Sequence, residues 1–294
     1  MIMLKQGIIL KGIGGFYYVE TADAVYECKA KGKFRKQGIS PMAGDNVTIC
    51  VAQNSENTIE EILPRKNYLV RPPVANIDFL AIVSSVAHPQ PSTLIIDKLT
   101  AMAEKRGIEP VIIFTKADLG DTRELAQIYR LAGFNTFTFS KQEKSDEAKL
   151  LSLLSGKVTA LCGNTGVGKS TLLNMLKPDL ELATGEISMK LGRGRHTTRE
   201  AQLLRVGDCL IADTAGFSTV NILEGETFLA EDLPFYFRDF EQYMGKCRFT
   251  TCAHVNDSGC AVRQAVESGE VGKTRHESYV AMYNEIKDLK KWQL

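Results

Sequence analysis

The sequence predicts an α/β chain in three parts: a small all-β barrel, a central segment with a mainly parallel sheet, and a small, mostly helical C-terminal domain. Residues 1–72 carry short β-type runs separated by Gly, Asn, Asp and Pro, with no helical period. From Ile77 onward apolar strands alternate with amphipathic helical stretches, the pattern of a parallel sheet covered by helices. Past about residue 222 the alternation gives way to a short helical stretch, a cysteine-rich loop and a final helix. A chain of 294 residues is long for one core, and the changes of pattern divide it at 1–72, 73–222 and 223–294.

In the first part the runs are 16–20, 24–29, 47–51 and 58–62; roughly five strands in about 70 residues suit the five-stranded OB-type barrel that binds oligonucleotides. Lys29, Lys31, Lys33 and Arg35 recur at every second position, so an extended strand would turn four positive charges to one face. With Phe34 nearby for stacking, that face suits RNA; a lysine-protected edge strand explains the same pattern equally well. In the second part, 78–86 reads as a buried strand and 94–106 as a helix with Ile95, Leu99 and Met102 on one side, capped by Ser92 or Thr93. Strands at 110–115 and 135–139 flank a helix near 124–131, and 157–162 is a further strand. The final helix aligns Tyr279, Met282, Tyr283, Ile286 and Leu289.

Composition excludes several classes. Hydrophobic content of 44% and charged content of 24% are globular values that rule out disorder and fibres. The net charge of +1 leaves only local basic surface, and residues 1–72 hold ten Lys/Arg against seven Asp/Glu. The N-terminus lacks the features of a signal peptide, and no stretch reaches the roughly 18 apolar residues of a membrane span. A cytoplasmic location is expected, with no membrane partner. Reducing conditions there leave the seven cysteines as core residues, metal ligands or reactive thiols.

Gly163-Asn164-Thr165-Gly166-Val167-Gly168-Lys169-Ser170 matches G-x-x-x-x-G-K-[ST], after a strand and before a helix that Thr171 opens. Its backbone amides curl round phosphates, Lys169 reaches the β- and γ-phosphates, and the Ser170 hydroxyl ligates Mg²⁺. Asp213-Thr214-Ala215-Gly216 fits D-x-x-G, with Asp213 on Mg²⁺ and the Gly216 amide at the γ-phosphate. Thr115-Lys116-Ala117-Asp118 resembles the guanine motif N-K-x-D, with Thr115 in place of Asn. Asp118 can accept from the ring N–H and amine of guanine, whereas adenine would leave the carboxylate unpaired. GTP is therefore favoured over ATP, and Ser140-Lys141 follows its strand as a base-backing loop would. The guanine motif precedes the phosphate loop by about 45 residues, the reverse of ordinary GTPases. A circular permutation preserves the site, because open α/β sheets bind ligands at the carboxyl ends of strands whatever their chain order.

Permuted order, leading barrel and trailing cysteine cluster together resemble the ribosome small subunit-dependent GTPase A family over nearly the whole chain. The resemblance includes Pro64-Arg65-Lys66-Asn67, Arg71-Pro72-Pro73-Val74-Ala75-Asn76-Ile77-Asp78 and Gly194-Arg195-His196-Thr197-Thr198-Arg199. It implies a late assembly factor of the bacterial small ribosomal subunit that binds its rRNA and hydrolyses GTP to GDP when the subunit is present. A monomer without DNA as partner is expected.

Hydrolysis needs an oriented water. Phe217, after D-x-x-G, neither donates nor accepts, so His196 is the candidate, and the resemblance supports it; an RNA or solvent contact is the other reading. Thr198 is the second candidate Mg²⁺ ligand, with Thr197 open, and Arg193, Arg195 and Arg199 are phosphate or RNA contacts or a solvated loop. Cys247, Cys252, His254 and Cys260 gather three thiols and an imidazole, a closed Cys₃His set for one structural Zn²⁺. Cys28, Cys50, Cys162 and Cys209 sit in apolar runs as small hydrophobes, and His88 and His276 read as surface histidines. The competing reading is a nucleotide-gated RNA-binding module with incidental hydrolysis; an ATPase is opposed by Asp118.

Overall fold

Gly14 and Gly15, at φ 60° and 86°, fold strand β1 (Ile2–Ile13) back onto β2 (Phe16–Thr21), since a two-residue hairpin needs left-handed backbone at both positions. The computed structural model describes residues 2–52, 55–70, 72–140, 146–177, 201–212, 223 and 226–289. The chain divides into two compact units. The first comprises Met1–Leu80, Leu151–Cys162 and Ser170–Ile222, the second Ala81–Leu150, Gly163–Lys169 and Leu223–Leu294.

In the first unit β1 and β2 join β3 (Val25–Ala30), β4 (Asn46–Ala52) and β5 (Asn57–Ile62) in a closed barrel of order β1-β2-β3-β5-β4. Closure comes from antiparallel β1–β4 and parallel β3–β5 pairing. Alternate residues point inward, and Ile9, Val19, Cys28, Val47, Ile49 and Ile59 form the barrel core.

The row of alternating positive charges does not form. Strand β3 stops at Ala30, and Gly32–Lys36 is a helical turn, α1, that drops Phe34 into the barrel core at 5% exposure. The phenyl ring gains more by burial than an extended row could, and it is unavailable for stacking on a base. Lys29 pairs with Glu56 at 2.6 Å and Lys31 with Glu60, so part of the local charge is already neutralised.

The motifs at the first junction are staples. Arg65 forks onto the buried Asp45 at 2.6 and 2.8 Å. Asn67 exchanges two hydrogen bonds with the backbone of Ile77, at 2.8 and 2.9 Å, while Asn76 donates to Gly44 O at 2.9 Å. Between them β6 (Tyr68–Val70) and β7 (Pro73–Ala75) pair as a short ribbon. The Asp78 carboxylate accepts from Val158 N at 2.8 Å at the start of β11 (Val158–Cys162).

The α/β part adds β8 (Phe79–Ser85), α2 (Thr93–Lys105), β9 (Glu109–Thr115), α3 (Arg123–Leu131), β10 (Asn135–Phe139) and α4 (Glu147–Leu154) before β11. After it come α5 (Lys169–Leu176), β12 (Leu203–Val206) and β13 (Cys209–Ala212). The strand order is β10-β9-β8-β11-β13-β12, with β9–β10 and β11–β13 parallel and β12 antiparallel to β13. Ser92 caps α2 by accepting from Ile95 N at 3.4 Å. The C-terminal residues form 3-10 turns at Leu233–Tyr236 and Arg238–Tyr243 and helices α6 (Ala261–Ser268) and α7 (Lys273–Ile286). Among the described residues no helix is long and apolar enough to cross a membrane.

Within the second unit, Arg275 of α7 is 0% exposed. Its guanidinium donates to Asp97 of α2 at 2.8 Å, to Thr100 at 3.2 Å and to Asp239 at 2.6 and 3.2 Å. The rings of Phe237 and Phe134 lie 4.9 and 5.1 Å away. Burial pushes the Asp97 carboxyl above its ordinary range while Arg275 draws it down, and burial opposes the Arg275 charge less than the two carboxylates support it. Replacing Arg275 by Met would leave two carboxylates buried without a counter-charge, at a cost of about 3–5 kcal/mol. Denaturant unfolding of Arg275→Met should show that loss, and Arg275→Lys should recover little of it, since one ammonium cannot fork onto both acids. An unchanged midpoint would remove the triad from the stability of this unit.

Candidate functional site

Strand β11 is buried along its whole length and opens directly into the glycine loop, so the loop is fixed at its entry by packing. Gly163, at φ 149°, lies where an added Cβ would come 2.3 Å from Val83 O, and Gly168 adopts φ 97°. No other residue type fits the first position without moving backbone. Val167 anchors the loop from below at 4% exposure, while Asn164, Thr165 and Gly166 face solvent. Lys169 spans the loop, its Nζ donating to Gly163 O at 2.6 Å and Asn164 O at 2.9 Å. Ser170 and Thr171 follow in the first turn of α5, the end of a helix whose backbone N–H groups lack intrahelical partners and suit an anion.

The segment 115–118 closes over this loop from the end of β9. The Thr115 hydroxyl donates to Val167 O, its carbonyl accepts from Val86 N at 3.1 Å, and Ala117 N donates to Phe139 O at 3.1 Å. Lys116 takes a left-handed φ of 58° and sets its ammonium on His88 O. That geometry leaves Asp118 exposed at the rim, with Ser140 buried just after β10. The structure thus brings Thr115, Lys116 and Asp118 together with Gly163, Asn164, Thr165, Gly166, Val167, Gly168 and Lys169. The place that the motif gives to Asn is filled by a hydroxyl that ties the two loops. Lys141, His196, Thr197, Thr198, Asp213, Gly216 and Phe217, with the flanking Arg193, Arg195 and Arg199, lie outside the described residues.

Cys247, Cys252, His254 and Cys260 converge with their ligand atoms all within 4.8 Å of one another. His254 Nδ1 lies 3.5, 3.6 and 3.4 Å from the sulfurs of Cys247, Cys252 and Cys260. Bond lengths of about 2.3 Å to sulfur and about 2.1 Å to nitrogen place tetrahedral ligand atoms about 3.6 Å apart, so the donor set fits one divalent ion. Burial pushes the Cys252 thiol up to about 12, raises Cys260 and lowers His254; a bound cation would take the place of the thiol protons. Cys260 also caps α6, and Ala261 N and Arg263 N lie 3.3 and 3.5 Å from Cys247 and Cys260 sulfurs, N–H groups that would support thiolates on a bound cation.

Two residues hold the ligand loop that sequence reasoning did not assign. Tyr279 Oη donates to Ala253 O at 2.7 Å, and His276 Nε2 lies 2.8 Å from His254 O. His276 is therefore not a free surface histidine; it is half-buried and braces the left-handed His254, at φ 59°. The only signal was its position one turn before Tyr279 on the same helix face. His88 is exposed, as expected, and contributes only its carbonyl. Cys28, Cys162 and Cys209 are buried and Cys50 is half-buried.

Comparison with known proteins agrees along the chain. A family described as RsgA GTPase matches residues 62–223, and one described as RsgA N-terminal domain matches 6–59. A Geobacillus sp. (strain WCH70) protein named small ribosomal subunit biogenesis GTPase RsgA is 41% identical over 98% of this chain and 99% of its own. A protein of that name from Caldanaerobacter subterraneus subsp. tengcongensis is 41% identical over 97% of each chain. Among solved structures, YloQ, described as a circularly permuted GTPase, superimposes with a TM-score of 0.80 at 32% identity, covering 98% of this chain and 96% of its own. YjeQ from Thermotoga maritima gives 0.81 at 33% identity over 98% and 100%.

Elemental analysis of the purified chain should find a tightly held divalent metal that Cys260→Ser loses, with a lower melting temperature. Equal metal content in the variant would take Cys260 out of the centre.

Proposed function

Because the chain belongs to the RsgA GTPase family, we propose that it hydrolyses GTP to GDP and phosphate on the small ribosomal subunit and acts late in that subunit's biogenesis. What supports this reading is the hydrogen bond between Thr115 and Val167, which holds the segment that resembles a guanine motif against the glycine loop, in permuted chain order. In this reading the amides of the glycine loop and of Ser170 and Thr171 hold the phosphates, and Lys169 leaves its own loop carbonyls for the β- and γ-oxygens. Asp118 accepts both guanine donors, with Ser140 and Lys141 behind the base. Ser170, Thr198 and Asp213 would hold Mg²⁺, which would neutralise phosphate charge, and the Gly216 amide would meet the γ-phosphate. His196 orients the attacking water.

The Cys₃His centre is read as zinc in a structural role, since four protein ligands leave no open position. The barrel is read as the rRNA contact of a monomeric, cytoplasmic protein that binds neither DNA nor membrane. Its affinity for RNA should fall steeply with salt, as phosphate contacts require.

Turnover measured with and without small subunits tests the whole. Strong acceleration is expected; a rate indifferent to subunits favours the nucleotide-gated RNA-binding module. Asp118→Ala should weaken GTP binding by on the order of 100-fold and erase the preference over ATP, because both donors of the base lose their acceptor. His196→Ala should keep GTP affinity and lose subunit-stimulated turnover, and an unchanged rate would remove His196 from the mechanism.

A further inference from the structure

Arg205 stands where three pieces of the first unit meet. From β12 its guanidinium forks onto Glu20 of β2, with Nε 2.9 Å from Oε1 and Nη2 on Oε2. Its carbonyl accepts from Lys177 Nζ at 2.8 Å, one residue beyond α5, the helix that the phosphate loop opens. Three residues earlier Gln202 forms an antiparallel bridge with Lys11 of β1, and Ala201 is buried at 6% exposure. The barrel thus grips β12 twice, once through backbone and once through a charged fork.

What β12 is attached to gives the grip a use. It pairs along its length with β13, from Leu203↔Ala212 to Val206↔Cys209, and β13 pairs in parallel with β11. Strand β11 runs straight into the glycine loop. In sequence, β12 closely follows Gly194-Arg195-His196-Thr197-Thr198-Arg199 and β13 immediately precedes Asp213. Strand β12 is thus joined to the barrel, through Lys177 to the end of α5, and through β13 to β11 by hydrogen bonds and strand pairing.

We infer that Glu20 and Arg205 are positioning residues for hydrolysis, carrying the effect of a partner bound on the barrel to the nucleotide site. The inference rests on the functional reading above, in which the barrel contacts RNA and the subunit stimulates turnover. Arg205 is about half exposed, with 45% of its side-chain surface accessible, so the pair adds little to stability and can be broken without unfolding the chain.

The test uses the full-length protein as Glu20→Arg, Arg205→Glu and the doubly reversed variant, each checked for its melting temperature. GTP affinity, basal turnover and subunit binding should match the parent in all three. Each single reversal should cut subunit-stimulated kcat by on the order of 10-fold, within the usual range of coupling between sites, and the double reversal should restore it. Singles that are stimulated like the parent, or a double that stays uncoupled, would overturn the inference. So would a loss of basal turnover in step with stimulated turnover, which marks a merely structural role. If subunits fail to stimulate the parent itself, the functional reading fails first, and that outcome is distinct from the others.

Discussion

A hydroxyl-to-carbonyl hydrogen bond, Thr115 to Val167, holds the segment 115–118 against the glycine loop. Both segments are ends of strands, and each is fixed by its own neighbours. Val83 O leaves no room for a side chain at Gly163, and Phe139 O and Val86 N clamp 115–117. A site built this way needs spatial order and not chain order, which is why the sequence tolerates permutation. The permutation then puts the barrel upstream of β9 and the Cys₃His cluster downstream of the glycine loop.

Much of this was legible in the sequence because the relevant signals are local. The glycine loop, the spacing of Cys247, Cys252, His254 and Cys260, and the run of strands from 78 to 162 each depend on neighbours within a few residues. What was not legible depended on burial. Alternating charges at 29–35 read as a strand, but the fate of Phe34 is decided by a core assembled from strands far away in sequence, and helix won. His276 and Tyr279 carry no motif, because their work is to hold carbonyls of the loop at 253–254. Arg275 carries no motif either, because its partners Asp97 and Asp239 are distant in sequence.

The ionic contacts differ in kind according to solvent. Arg275 sits among aromatic rings with both carboxylates buried, where loss of one member strands the others. Arg238 spans Glu104 and Glu109 with partial exposure, and Arg205 with Glu20 is more open still. Breaking the first sort strands buried charge, whereas breaking the last costs little stability.

Helix α7 comes after every element that it completes. It supplies the cation for Asp97, the bracing ring for His254 and the hydroxyl for Ala253. A nascent chain that has produced the glycine loop and the Cys₃His cluster still lacks the Arg275 counter-charge for Asp97 and Asp239 and the brace for the loop at 253–254. Synthesis therefore delivers the parts of the second unit before it delivers the helix whose side chains tie them together.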